Sequence, residues 1–170
     1  MPSLNKKKYR TFQDYLKAKY KGPFMATDIL IRCSDDFKEG IVLIERKFAP
    51  LGLALPGGMA EYMSLGDNAI KEAKEETGLR VVLDNPNKPL CVYSTPTQDP
   101  RAFIASVAYT ARGYGKLKPH KDEDAKNARI FNLEQITELL DNPTIWAFPE
   151  HHVKILRDYL MEVSTYGKIR

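Results

Sequence analysis

The sequence predicts an α/β sandwich, with helices on both faces of a central sheet, and three observations carry that expectation. Short apolar runs bounded by turn residues recur along most of the chain, as strands do. A few segments with apolar residues at helical spacing are set among them. Third, the 170 residues are 43% hydrophobic and 28% charged, an ordinary globular balance with enough chain for one substantial core.

Taken in order, residues 11–20 form a short expected helix with Phe12, Tyr15 and Leu16 on one side, broken by Gly22-Pro23. Segments 26–33 and 40–47 read as strands joined by the polar turn Ser34-Asp35-Asp36. A short apolar piece, 51–55, ends at Pro56-Gly57-Gly58. Residues 65–77 have helical spacing, with Ala69, Ile70 and Ala73 on one face. Ser64 with Asp67 three residues later signals the start of this helix, and Gly78 its end. Strands are expected at 80–83, 90–95, 102–111 and 128–132, and helices at 133–140 and 150–163. Residues 1–23 are a basic, partly helical N-terminal extension, and 24–170 a single domain.

Several classes are disfavoured. No apolar run approaches the roughly 18 residues of a spanning helix, and the basic N-terminal residues lack the apolar stretch of a secretory signal. Cys33 and Cys91 form neither a CxxC pair nor a disulfide framework, so the expected setting is cytoplasmic. The net charge of +4 is concentrated in the leader, where Lys6, Lys7, Lys8, Arg10, Lys17, Lys19 and Lys21 face Asp14 alone. Such a leader is able to touch nucleic acid or an anionic substrate, but no groove-reading motif accompanies it, so the favoured reading is a solvated, partly helical extension.

The chemistry is concentrated around the helix 65–77. Glu72, Glu75 and Glu76 stand at i, i+3 and i+4, which places three carboxylates on one helical face. Like charges at that spacing repel by a few tenths of a kcal/mol per pair, and a hard divalent cation such as Mg²⁺ relieves them. Gly57-Gly58 ahead of the helix lets backbone approach a metal or phosphate closely. Spacing alone leaves a second reading open, a solvated acidic face relieved by Lys71 and Lys74.

The order of these features resembles the Nudix box, G-x5-E-x7-R-E-U-x-E-E-x-G-U with U aliphatic. Gly57, Glu72, Glu75, Glu76, Gly78 and Leu79 fill their positions and Ala73 is a small aliphatic match. Met63 stands where the pattern has Glu, and Lys71 where it has Arg. Glu61, Glu75 and Asp67 are alternative partners for Lys71. The resemblance spans about 24–163 and implies a Nudix-type α/β/α sandwich with a mixed β-sheet. Asp99-Pro100-Arg101, running into the strand at 102–111, is similar to a segment of the ADP-ribose pyrophosphatase subgroup, whose members often have Arg where Gln98 stands. The acidic run Asp122-Glu123-Asp124 before an edge strand resembles the subgroup's acidic loop, with Glu123 the first choice for an extra ligand or base, then Asp124 or Asp122. Trp146-Ala147-Phe148-Pro149-Glu150-His151-His152 is similar to the start of its last helix; a histidine there either senses a phosphate or packs the helix start.

What the resemblance implies is Mg²⁺-dependent cleavage, with Mn²⁺ a substitute, of a nucleoside diphosphate linked to another group. For ADP-ribose the products are AMP and ribose 5-phosphate. Glu72, Glu75, Glu76 and Glu123 are the implied catalytic residues; Glu72, Glu75, Glu76 and Gly57 hold metal; Arg101, Asp99, Gly58 and Arg46 bind the small-molecule nucleotide. A homodimer is implied, with no membrane and no nucleic-acid partner. Two alternatives stay open: a weakened or inactive Nudix module that binds a nucleotide or protein, motivated by Met63 and Lys71, and a hydrolase of a triphosphate, dinucleoside polyphosphate or capped RNA.

Overall fold

The computed structural model describes residues 11, 14–15, 22–34, 39–120 and 124–166. The helix expected over 11–20 lies mostly outside them; Asp14 and Tyr15 are helical, with Thr11 and Asp14 exchanging side chain-to-backbone hydrogen bonds of 2.9 and 3.1 Å. Asp35, Asp36, Asp122 and Glu123 also fall outside the described residues.

The sheet is mixed and eight-stranded. Its strands are β1 (Phe24–Ser34), β2 (Glu39–Arg46), β3 (Leu53–Ala54), β4 (Gly57–Met59), β5 (Arg80–Leu83), β6 (Cys91–Tyr93), β7 (Ile104–Tyr114) and β8 (Ala125–Phe131). The main path runs β3-β2-β1-β7-β5, with β4 on β1, β6 on β7 and β8 on β2. β1 and β7 are parallel, Phe24 opposite Ile104 through Cys33 opposite Gly113, and the other pairs are antiparallel.

Among the described residues three α-helices cover the two faces: α1 (Leu65–Thr77), α2 (Leu133–Leu140) and α3 (Pro149–Tyr166). Adjacent residues of β1 and β2 point to opposite sides and both sides are buried. Ile29, Ile31, Val42 and Ile44 pack with Ala69 and Ala73 of α1. Leu30, Ile41 and Leu43 pack with Ile136 and Leu140 of α2 and with Ile155 and Leu156 of α3. This is why the central stretches of these strands, residues 29–31 and 41–44, are apolar without alternation.

The expected elements differ from the observed ones mainly where backbone pairing outweighs composition. β7 continues to Tyr114 because it pairs with β1 and β5 on its two sides. Gly57–Met59, read as a break, is the strand β4, with Gly57 opposite Asp28 and Met59 opposite Ala26. A Cβ at Gly57 would lie 2.2 Å from the carbonyl oxygen of Thr27, so this approach to β1 requires glycine. Among the described residues no helix is long and apolar enough to cross a membrane.

Candidate active site

α1 is fixed at both ends by local chemistry. The Ser64 hydroxyl accepts from the Asp67 backbone N–H (3.2 Å) and donates to the Asp67 carboxylate (2.6 Å), an N-cap of the expected kind. Gly78 closes the helix at φ +77°, its N–H donating to the Lys74 carbonyl over 2.8 Å. Asn68 on the inner face is fully buried. Its amide donates to the Thr27 hydroxyl (2.9 Å) and accepts from the Glu61 backbone N–H (3.0 Å), tying the preceding loop to β1.

The same helix carries its carboxylates to the end of β4. Glu76 is only 2% exposed, and it accepts from the Gly57 backbone N–H over 2.9 Å. Burial is the main cause that pushes its acid up to about 8; the Gly57 hydrogen bond opposes this and nearby Glu72 adds to it. Glu72 lies against Gly58, where a Cβ would meet its Oε2 at 2.5 Å. Burial also raises the Glu72 acid, against the pull of Lys71. The Lys71 ammonium reaches Glu75 at 2.8 Å, Glu61 at 3.1 Å and Glu72 at 3.3 Å. The Glu75 hydrogen bond is the largest cause holding the Lys71 pKa above the ordinary lysine range. Asp67, the third alternative partner, is engaged by Ser64 instead.

A polar pocket opens beside Gly57 and Gly58, lined among others by Asp28, Arg46, Asp99, Arg101, Asp124, Phe148, His151 and His152. Arg101 is clamped by Asp99, Nε to Oδ1 at 3.0 Å and an outer nitrogen to Oδ2 at 2.7 Å, while its own backbone N–H bonds Oδ1. Burial works against the Asp99 charge, but the Arg101 bonds hold this carboxyl below its usual range. Arg46 is buried, donating to the Pro50 carbonyl (3.0 Å) and to Asp124 (3.3 Å). Both guanidiniums sit over the Phe148 ring, at 5.4 Å for Arg46 and 5.0 Å for Arg101. Gln98 does not reach into this pocket. Its buried amide donates to the Tyr93 and Ile104 carbonyls, 2.9 Å each, and so closes the loop ahead of Asp99.

At the pocket floor Asp28, His151 and His152 offer ligand atoms within 4.8 Å of one another, the donor set of a transition-metal centre. Hydrogen bonding assigns His152 and Asp28 otherwise. The Leu55 backbone N–H donates to His152 Nδ1 over 3.0 Å, so the proton of the neutral ring is on Nε2, 3.2 Å from Asp28 Oδ1. That proton takes the lone pair a metal would need. Burial, the largest cause, holds the His152 pKa below its ordinary value against the pull of Asp28. Burial likewise opposes the Asp28 charge, but the two imidazoles keep this carboxyl well below the carboxylate range. Ser106 donates its hydroxyl to the same carboxylate. His151 Nε2 is 3.0 Å from Asp28 Oδ2 but is misaligned, and has no hydrogen-bond partner among the described residues.

The NUDIX domain family model matches residues 23–155. The chain belongs to the Nudix family. It is 35% identical over 145 residues to an ADP-ribose pyrophosphatase of Methanocaldococcus jannaschii, covering 83% of this chain and 75% of that protein. A MutT/nudix family protein from Enterococcus faecalis has a similar structure, with TM-score 0.68 and 25% identity over 91% of this chain and 70% of that one. The fold also matches the NUDIX domain of Shewanella oneidensis NrtR, crystallised with ADP ribose, with TM-score 0.66 and 19% identity over 88% of this chain and 97% of that one.

In this Nudix hydrolase the α/β/α sandwich brings most of the sequence-selected residues to one place. Gly57, Gly58, Glu72 and Glu76 form one wall, and Arg46, Asp99 and Arg101 line the adjoining pocket. Glu75 turns to Lys71. Glu123 lies outside the described residues; its neighbour Asp124 lines the pocket. Sequence reasoning missed Asp28, Ser106, Asn68 and the Phe148 platform. Asp28 had a usable signal, a carboxylate inside the apolar run of β1, since a buried charge needs partners.

Proposed function

We propose that the chain is a divalent-metal-dependent pyrophosphohydrolase that cleaves ADP-ribose, or a close ADP-sugar, to AMP and the sugar phosphate. The observation that carries this is the union of two features: buried Glu76 and largely buried Glu72 packed on Gly57 and Gly58, and two guanidiniums on one aromatic ring across the adjoining pocket. The similarity to the M. jannaschii ADP-ribose pyrophosphatase supports the substrate class.

The residues fit a hard cation. Glu72 and Glu76 supply carboxylate oxygens, each destabilised as an anion by burial, and the missing side chain at Gly58 lets the Glu72 carboxylate rest against the backbone there. We assign Glu72, Glu76 and a carbonyl of Gly57 or Gly58 as the holders of Mg²⁺ or Mn²⁺, with Glu75 assisting. Bound there, the cation supplies charge neutralisation for the pyrophosphate and acidifies the attacking water. Arg101, pre-oriented by Asp99, and Arg46, pre-oriented by Pro50 and Asp124, bind the phosphate oxygens through donors those partners leave over. Glu123, one residue before pocket-lining Asp124, is the first choice for the base that takes the water's proton. The expected setting is cytoplasmic and the expected assembly a homodimer. The test is a hydrolysis screen of ADP-ribose, other ADP-sugars, nucleoside triphosphates, dinucleoside polyphosphates and capped RNA, with Mg²⁺ and with chelator. AMP and ribose 5-phosphate formed only with metal support the reading. A triphosphate cleaved more efficiently than ADP-ribose rejects the substrate, and nucleotide binding without turnover favours the inactive module.

A further inference from the structure

α1 carries its own cation inside the carboxylate cluster. Lys71 Nζ has three hydrogens to give and stands 2.8 Å from Glu75, 3.1 Å from Glu61 and 3.3 Å from Glu72. Two of these contacts are hydrogen bonds, to Glu75 and Glu72, and the third is an ion pair with Glu61. Three of four nearby acidic groups share this one ammonium, while Glu76 bonds the Gly57 N–H instead. The longest of the three contacts goes to Glu72, the same carboxylate that rests on Gly58.

We infer that Lys71 is a resident counter-cation that holds the cluster together before metal binds and competes with the metal for Glu72, and so sets the affinity of the site. The inference rests on the assignment of Glu72 and Glu76 as metal holders. When the cation arrives, the Lys71–Glu72 contact is the one given up. The shorter contacts keep the ammonium on Glu61 and on the assisting carboxylate Glu75, and off Glu72. The lysine head group suits this exchange, because it is a compact point charge whose donors rotate and are not fixed in a planar fork. Two consequences have opposite sign. Removing the charge leaves the carboxylates repelling one another, so the metal-free protein loses stability. The same removal leaves a more negative site without a competitor, so divalent cations bind more tightly.

The experiment compares wild type with Lys71→Met, a neutral side chain of similar length, and Lys71→Arg, which keeps the charge. Mn²⁺ is titrated into each full-length chain by calorimetry, and thermal melts are recorded in EDTA and in saturating Mn²⁺. The expected result for Lys71→Met is a lower melting temperature in EDTA, Mn²⁺ affinity tighter by about threefold to tenfold, and a correspondingly larger stabilisation by Mn²⁺. Lys71→Arg, which keeps the charge, holds the melting temperature in EDTA close to that of wild type. Equal or weaker Mn²⁺ binding by Lys71→Met, or one melting deficit that persists unchanged in Mn²⁺, overturns the inference and makes Lys71 a structural brace. If the methionine variant does not fold, Lys71→Gln makes the same comparison. Wild type that binds no Mn²⁺, or binds it undiminished after Glu76→Gln, instead overturns the metal-holder assignment on which the inference stands.

Discussion

At the scale of single residues, the site is a set of charges each held by a named neighbour. Arg101 is the clearest: Asp99 uses two of its donors and fixes the plane of the rest. Arg101→Ala removes a charge-assisted contact worth roughly 1.5–3 kcal/mol, so kcat/KM for ADP-ribose should fall about tenfold to a hundredfold. Unchanged steady-state kinetics in that variant would remove Arg101 from the substrate site. Asp28 and His152 make a prediction about pH. Both have folded pKa values below their unfolded ones, so the folded protein resists protons that the unfolded chain accepts. Their contribution is complete above histidine's ordinary value of 6.5. As the pH falls below it, the unfolded chain takes up a proton at His152 first, then at Asp28 in the carboxylate range, and stability declines. His152→Gln should flatten the decline that begins near pH 6.5 and cost about 1–3 kcal/mol at neutral pH, because the buried Leu55 N–H loses its acceptor. Urea unfolding between pH 5 and 8 measures both, and an undiminished slope in the variant would show that another group titrates. The Glu72–Glu75–Glu76 face was legible in the sequence because i, i+3 and i+4 positions share one side of any helix. Asp28, Ser106 and Phe148 were not legible as a group, since they come from β1, β7 and the approach to α3 and meet only through the tertiary fold.

At the scale of elements, the readable parts were those whose ends are set by local chemistry. α1 begins and ends where Ser64 and Gly78 predict, because a hydroxyl cap and a left-handed C-cap are properties of a few adjacent residues. β4 could not be read in the same way. Two glycines have poor strand propensity, and only the close approach of Thr27 and Asp28 makes them the right residues for pairing. Gly58 links the strand to the helix. Gly58→Ala would place a methyl group 2.5 Å from Glu72 Oε2, a flexible side-chain end that can move away. Stability should therefore change by no more than about 1 kcal/mol, while displacement of the carboxylate should cost about a hundredfold or more in kcat/KM. A parallel loss of melting temperature and activity would mean that Gly58 serves the fold and not the position of Glu72.

At the scale of the whole molecule, the sandwich was legible from strands mixed with a few helices, and both sides of β1 and β2 are buried under helices as that mixture implies. The parallel pairing of β1 with β7 was not, because strand order depends on contacts some eighty residues apart in the chain. That pairing sets Asp28 and Ser106 together at the floor of the pocket while β4 carries the glycines to its edge. The whole fold thus presents a divalent cation with two rival positions, the glutamates of α1 and the Asp28–His151–His152 cluster, and hydrogen bonding favours the first. The most direct test is anomalous diffraction from crystals soaked in Mn²⁺. The account predicts anomalous density within coordination distance of Glu72, Glu76 and a carbonyl of Gly57 or Gly58, with none at Asp28, His151 and His152. Mn²⁺ bound at the histidine cluster, with the α1 carboxylates unliganded, would contradict it.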